Sequence, residues 1–299
     1  MDKRLFWCLA ACATAAVMVF STDKVQARHY NTGLSTHNHG MVTSCDDLNF
    51  EFDDHDAAHA EQHFTIPKSA SVLEVDAARN GGVQVAGWTG NDYAISACKA
   101  AASDSLLREI SVSASGNHVT ANGPTDGDWT VYLIVKAPQG SNLSLKAHNG
   151  PIGLRDVSGK VVARSENGPI AVVNCSGEID AQTVNGPISM SGDGGNLKLE
   201  TQNGPIHVAL AGDRWNAGGV TAHTENGPLS LEVPANFESG VRVEMSGRSP
   251  VRCRASQCSK SNRTWDDDSR YIEFGGANPT IKMSTVNGPV SVDSGRGEL

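Results

Sequence analysis

From residue 149 onward, apolar and polar positions alternate in short bursts that return at a fixed interval. Counting Asn149 as position 1 of a unit, position 4 is Ile152, Ile170, Ile188 and Ile206 in successive units, and position 6 is Leu154, Val172, Met190 and Val208. A period of two puts successive side chains on opposite faces of an extended chain, so each burst predicts a short strand with one buried face. Later in the units Val161 and Ala163, Ile179 and Ala181, and Leu197 and Leu199 alternate again, which predicts a second strand.

Each burst follows Asn-Gly-Pro. The trios Asn149-Gly150-Pro151, Asn167-Gly168-Pro169, Asn185-Gly186-Pro187 and Asn203-Gly204-Pro205 stand 18 residues apart, and related trios begin at Asn80, Asn226 and Asn287. Asn-Gly alone suggests a tight hairpin, but that turn needs an N–H that proline lacks. The trio therefore predicts a corner, with Asn and Gly accepting positive φ and Pro setting the exit direction. Gly159, Gly177 and Gly195 mark a second corner half a unit later.

One such unit cannot bury its apolar face alone; stacked units can. The fold expected is all-β, a β-solenoid resembling a parallel β-helix, built of 18-residue rungs over residues 64–299. Its asparagines would stack into an amide ladder. The alternative is an antiparallel β-meander.

The remaining segments read differently. Residues 1–27 have the parts of a secretory signal: Lys3 and Arg4, an apolar run from Leu5 to Phe20, and a small-residue end at Val25-Gln26-Ala27. Residues 28–63 form a polar, histidine-rich leader, and residues 248–279 a polar loop excursion from the repeat. The signal places the protein outside the cytoplasm, in the periplasm, on the outer surface or beyond the cell. No later segment is apolar enough to span a membrane.

With 24 basic against 33 acidic residues and a formal charge of −9, the chain would repel a polyphosphate backbone, so nucleic acid is not an expected partner. Past the signal the cysteines are Cys45, Cys98, Cys175, Cys253 and Cys258. Export permits disulfides, Cys253 with Cys258 closing a small loop and Cys45 with Cys98 as a second bridge. Cys175 falls at an apolar template position and reads as core.

Candidate chemistry is sparse. His55, His59 and His63 are spaced to share one side of a helix and could hold zinc, although Asp56 stands where the metalloprotease pattern needs Glu. Trp215 and Trp265, both in insertions, are candidate sugar-stacking residues. Asp266, Asp267 and Asp268 could meet a cation or a basic partner. Asp156, Glu166, Glu178, Asp180 and Glu200 occupy differing template positions, so no paired carboxylates emerge. No nucleophile elbow or phosphate loop is present, and no cofactor is expected.

The stretches "ASVLEVDAARNGGVQVAGWTGNDYAISA" and "LSLKAHNGPIGLRDVSGKVVARSENGPIAVVNCSGEIDAQTVNGPI" resemble the bacterial putative-adhesin family of β-strand repeats, also described as toast-rack domains. The resemblance implies an exported envelope protein that acts in adhesion, sensing or scaffolding, and it supplies no catalytic residues. The function expected is a non-enzymatic binding module whose partner is a cell-envelope component, an extracellular polysaccharide or another envelope protein. The alternatives are a metal-responsive envelope sensor and a polysaccharide-acting enzyme on a β-helix.

Overall fold

A computed structural model describes residues 32–36, 42–52, 55–69, 72–246, 249–266 and 270–295. The stretch read as a signal lies outside the described residues. The architecture is all-β, with parallel and antiparallel pairing: sheets of 11 and 12 strands enclose one hydrophobic core, and a smaller sheet of 3 strands lies beside them.

In the 11-stranded sheet Ile152–Arg155, Ile170–Val173, Ile188–Gly192, Ile206–Leu210 and Leu229–Val233 lie side by side and parallel. Ile152 pairs with Ile170, Ile170 with Ile188, and Ile188 with Ile206. The 12-stranded sheet aligns Ser141–Ala147, Gly159–Ser165, Glu178–Thr183, Gly194–Asn203 and Asn216–Asn226 in the same way. Each unit thus gives one strand to each sheet, and the two strands joined across an Asn-Gly corner are termed a rung below. Positions 4 and 6 meet Val161, Ile179 and Leu197 in the core, all almost fully buried.

The Asn-Gly-Pro corner works differently from expectation. None of Gly150, Gly168, Gly186 or Gly204, nor the asparagines before them, has positive φ. The glycines are required by close approach: a Cβ on Gly168 would lie 2.0 Å from the carbonyl oxygen of Gly150, and one on Gly186 2.3 Å from that of Gly168. Proline gives up a donor but keeps its acceptor, and Pro169 and Pro187 carbonyls take the N–H groups of Ile152 and Ile170 at 2.9 and 3.0 Å. The left-handed backbone sits at the second corner, where Gly159, Gly177 and Gly195 have φ of 110°, 95° and 100°.

Beneath the trio runs a column of buried hydroxyls. Thr183, Thr201, Thr224 and Thr285 donate to the carbonyls of Gly168, Gly186, Gly204 and Gly227, each from the neighbouring rung. A buried polar group needs such a partner, and here one hydroxyl also satisfies a corner carbonyl.

Rung order departs from chain order at both ends. Leu73–Asp76 and Val83–Trp88 form a rung lying between the strands that end at Pro138 and those that begin at Ser141. The rung of Pro279–Asn287 and Val290–Ser294 likewise lies between Asn216–Val233 and the strands Gly240–Met245 and Val251–Cys253.

Two expectations about boundaries are corrected. The break at residue 63 falls inside the strand Ala58–Pro67, which pairs antiparallel with Asp92–Ala101. Val42 and Leu48 pack on Cys98, Tyr132 and Ile134, and Phe52 on Ala100, so this part of the leader covers the outer side of a sheet because that side is itself apolar. The described residues of the segment 248–279 do not form a protruding loop, since Arg270–Phe274 pairs with Gly240–Met245 and with Asn262–Trp265. Ala255, Cys258, Ile272 and Phe274 join the core, which it closes at that end.

Candidate functional site

The surface that combines an exposed aromatic ring with convergent polar groups lies at this closed end. Trp265 is 46% exposed, and the Arg270 guanidinium lies 5.2 Å from its ring centroid, a cation–π contact across paired strands. Arg270 also lines a shallow cleft of about 170 Å³. Its floor brings together His223, Ser284 and Glu244, which occupy one row on three adjacent strands. Met245, Ser246, Arg270, Thr285 and Val286 line the rest of it.

The row is held by local bonds. His223 Nδ1 and Ser284 Oγ are 2.8 Å apart. Arg242 donates to Glu244 and to Glu273, and its guanidinium lies 4.0 Å from the Tyr271 ring centroid. The cleft therefore offers hydroxyls, an imidazole, a carboxylate and a guanidinium, and Trp265 meets it through Arg270. That chemistry suits hydrogen bonding to a polyol with one ring face stacked.

The sequence candidates fall into distinct places. Trp215 is 7% exposed and donates from Nε1 to the Gly195 carbonyl at 2.8 Å, so it is a core residue and not a stacking platform. Its insertion folds over the core and carries the ring inward. Asp266 is exposed next to Trp265, while Asp267 and Asp268 lie outside the described residues. Cys253 is joined to Cys258 and Cys45 to Cys98, and Cys175 is free and buried.

The histidines are on strands and not on a helix. His59 and His63 belong to Ala58–Pro67, His55 to a short strand before it, and all three are exposed. Four residues of strand separate like-facing side chains by roughly 13 Å, too far for one ion. His63 instead contacts Ser96 at 3.0 Å and Glu61 at 3.5 Å. Among the described residues no group of three or more His, Cys, Asp or Glu converges to hold a metal.

The corner asparagines are brought together fully. Asn149 donates to Asn80, and Asn167, Asn185, Asn203, Asn226 and Asn287 each donate to the one before, over 2.9 to 3.1 Å. The sequence reading missed the row of His223, Ser284 and Glu244. A signal existed for the first two, since each stands three residues before a template asparagine, Asn226 and Asn287.

One strand per sheet per unit, with a backbone-tight corner between, defines a protein of stacked β-strand repeats. The chain belongs to the Toastrack DUF4097 family, whose model matches residues 55–252. No curated protein matches it. Among solved structures it is similar to one described as a putative adhesin from Bacteroides fragilis, at 11% identity and a TM-score of 0.37, covering 79% of this chain and 97% of that one. It is also similar to one described as a putative cell adhesion protein from Clostridium sporogenes, at 10% identity and a TM-score of 0.32, covering 79% of this chain and 98% of that one. Among the described residues no helix is long and apolar enough to cross a membrane.

Proposed function

We propose that this chain is an exported, non-enzymatic binding module of the cell envelope, a β-solenoid of 18-residue rungs that holds a saccharide segment in the cleft beside Trp265. The observation that carries this reading is the exposed Trp265 ring in contact with Arg270, a guanidinium that lines a cleft also holding hydroxyl, imidazole and carboxylate groups. An indole that stacks a sugar face while nearby polar groups bond its hydroxyls is a common recognition chemistry for such ligands. Export is supported by the features of residues 1–27 and by two disulfides, which persist in oxidising compartments.

The test is co-sedimentation of the exported chain with isolated cell envelopes and with extracellular polysaccharide, comparing the natural protein with Trp265→Ala. Saturable binding to the polysaccharide, weakened about 10-fold or more by the substitution, supports the cleft. Binding to protease-sensitive envelope material only would assign a protein partner and overturn the saccharide reading. Point substitution is the suitable probe, because deleting 248–279 would remove Ile272 and Phe274 from the core.

A further inference from the structure

Two rungs are inserted out of chain order, and only one of them is fastened. The N-terminal inserted rung, 73–88, lies within the loop closed by Cys45 and Cys98, one before it in the chain and one after. The C-terminal inserted rung, 279–294, has no such tie, since Cys253 and Cys258 both belong to the far wall of the slot it occupies.

We propose that the rung of residues 279–294 is exchangeable, and that it swaps reciprocally with the same rung of a second copy of this chain. Each wall of the slot presents a parallel strand edge in the same register to the inserted rung. Val220 and Val241 both pair with Ile281, and Ala222 and Val243 both pair with Met283. In the other sheet Leu229 and Val251 both pair with Val290.

The contacts that seat the rung are those every rung makes. Asn287 donates to Asn226, Thr285 to the Gly227 carbonyl, and the N–H of Leu229 to the Pro289 carbonyl. A rung from another copy would make the same set, so exchange conserves all of them while adding whatever the new copies bury between them.

The hinge is at hand. Gly275-Gly276-Ala277-Asn278 joins the rung to the far wall, Gly275 has φ of 80°, and a Cβ there would lie 2.4 Å from the Ser239 carbonyl oxygen. Short tight hinges favour swapping, and four residues fully extended span roughly 13 Å, enough to carry the rung out of its slot. An opened chain exposes Ile281, Met283, Val290 and Val292, all buried in the closed one, and leaves both walls of the slot unpaired. A second opened copy satisfies both. After exchange the Ser284, Thr285 and Val286 side of the cleft belongs to the partner.

The test is a crosslink that only exchange can form between chains. Thr221 and Lys282 are opposite in register and exposed. In a Cys175→Ala background, Thr221→Cys and Lys282→Cys are made in separate preparations, mixed, unfolded in urea with disulfides intact, refolded together and oxidised. The expected result is a disulfide dimer whose peptide map joins positions 221 and 282, absent from either variant alone. The same-chain double variant shows that the pair can close a bond and, locked, should lose the exchange. If it closes within one chain while the mixture stays monomeric, the proposal is overturned. Should that pair fail to close in one chain, His223→Cys with Ser284→Cys is the replacement, and a monomeric mixture then has the same meaning.

Discussion

Asn287 donates from Nδ2 to Oδ1 of Asn226 at 3.0 Å across 61 residues of chain. That bond completes an amide ladder with a single direction, each asparagine donating towards Asn80. The direction makes members unequal: within the ladder Asn80 only accepts and Asn185 both accepts and donates. Asn80→Asp should be tolerated within about 0.5 kcal/mol. Asn185→Asp should destabilise by about 1 to 3 kcal/mol, because a carboxylate has no proton to offer Asn167 Oδ1. Urea unfolding of the two variants checks this, and equal midpoints would refute the direction of the ladder.

A second prediction concerns the hydroxyl column. Thr201 is buried and its Oγ1 donates to the Gly186 carbonyl at 3.0 Å. Thr201→Val keeps the shape and strands that carbonyl, so it should lose about 1 to 2 kcal/mol. Thr201→Ser, which keeps the donor, should lose under about 1 kcal/mol. Thermal unfolding of both variants would show whether the hydroxyl or the methyl matters.

How much of this was written in the sequence depends on what each residue contributes. Ile152, Ile170, Ile188 and Ile206 revealed which side chains face inward, because periodicity of two is a direct consequence of strand geometry. The glycines of the trio gave their position but not their reason, since Gly serves both positive φ and close approach and only the spacing of backbones separates the two. Thr183 and Thr201 fall on the inward parity of their strands, but no local pattern shows the carbonyls one rung away that offset their burial. The inserted rungs were illegible for a related reason: the edges of all rungs offer the same register, so pattern does not say which neighbour is chosen. Trp215 and Trp265 both sit in polar insertions, and which one is buried depends on how the insertion folds back, a tertiary choice that no local pattern records.

The flap over the outer sheet face gives a third prediction. Cys45 and Cys98 enclose a separation of 53 residues, and the packing of Val42, Leu48 and Phe52 beside that bond is modest. Replacing both cysteines by Ser should lower stability by up to about 4 kcal/mol through the freed unfolded chain. It should also open a protease-sensitive stretch within residues 42–57, which native-state limited proteolysis with mass mapping would locate. Unchanged digestion would mean that the apolar contacts alone hold the flap.

The free thiol makes a pH prediction with a definite sign. Burial pushes the Cys175 thiol up from 9.0 to about 11, outweighing the lowering effect of hydrogen bonding to the backbone of Val157 and Val173. Between those values the unfolded chain releases the proton while the native protein keeps it, so the native state binds more protons and stability falls as pH rises. Below pH 8 both forms are neutral and the group contributes no slope. Cys175→Ala should therefore differ from the natural protein by a constant amount from pH 6 to 8. It should then gain on it by about 2 kcal/mol between pH 9 and 11. Burial also raises the Tyr132 phenol, but that group is present in both proteins and cancels in the difference. Urea unfolding across pH measures the gap, and a gap that stays flat to pH 11 would show that the native thiol ionises as readily as the unfolded one.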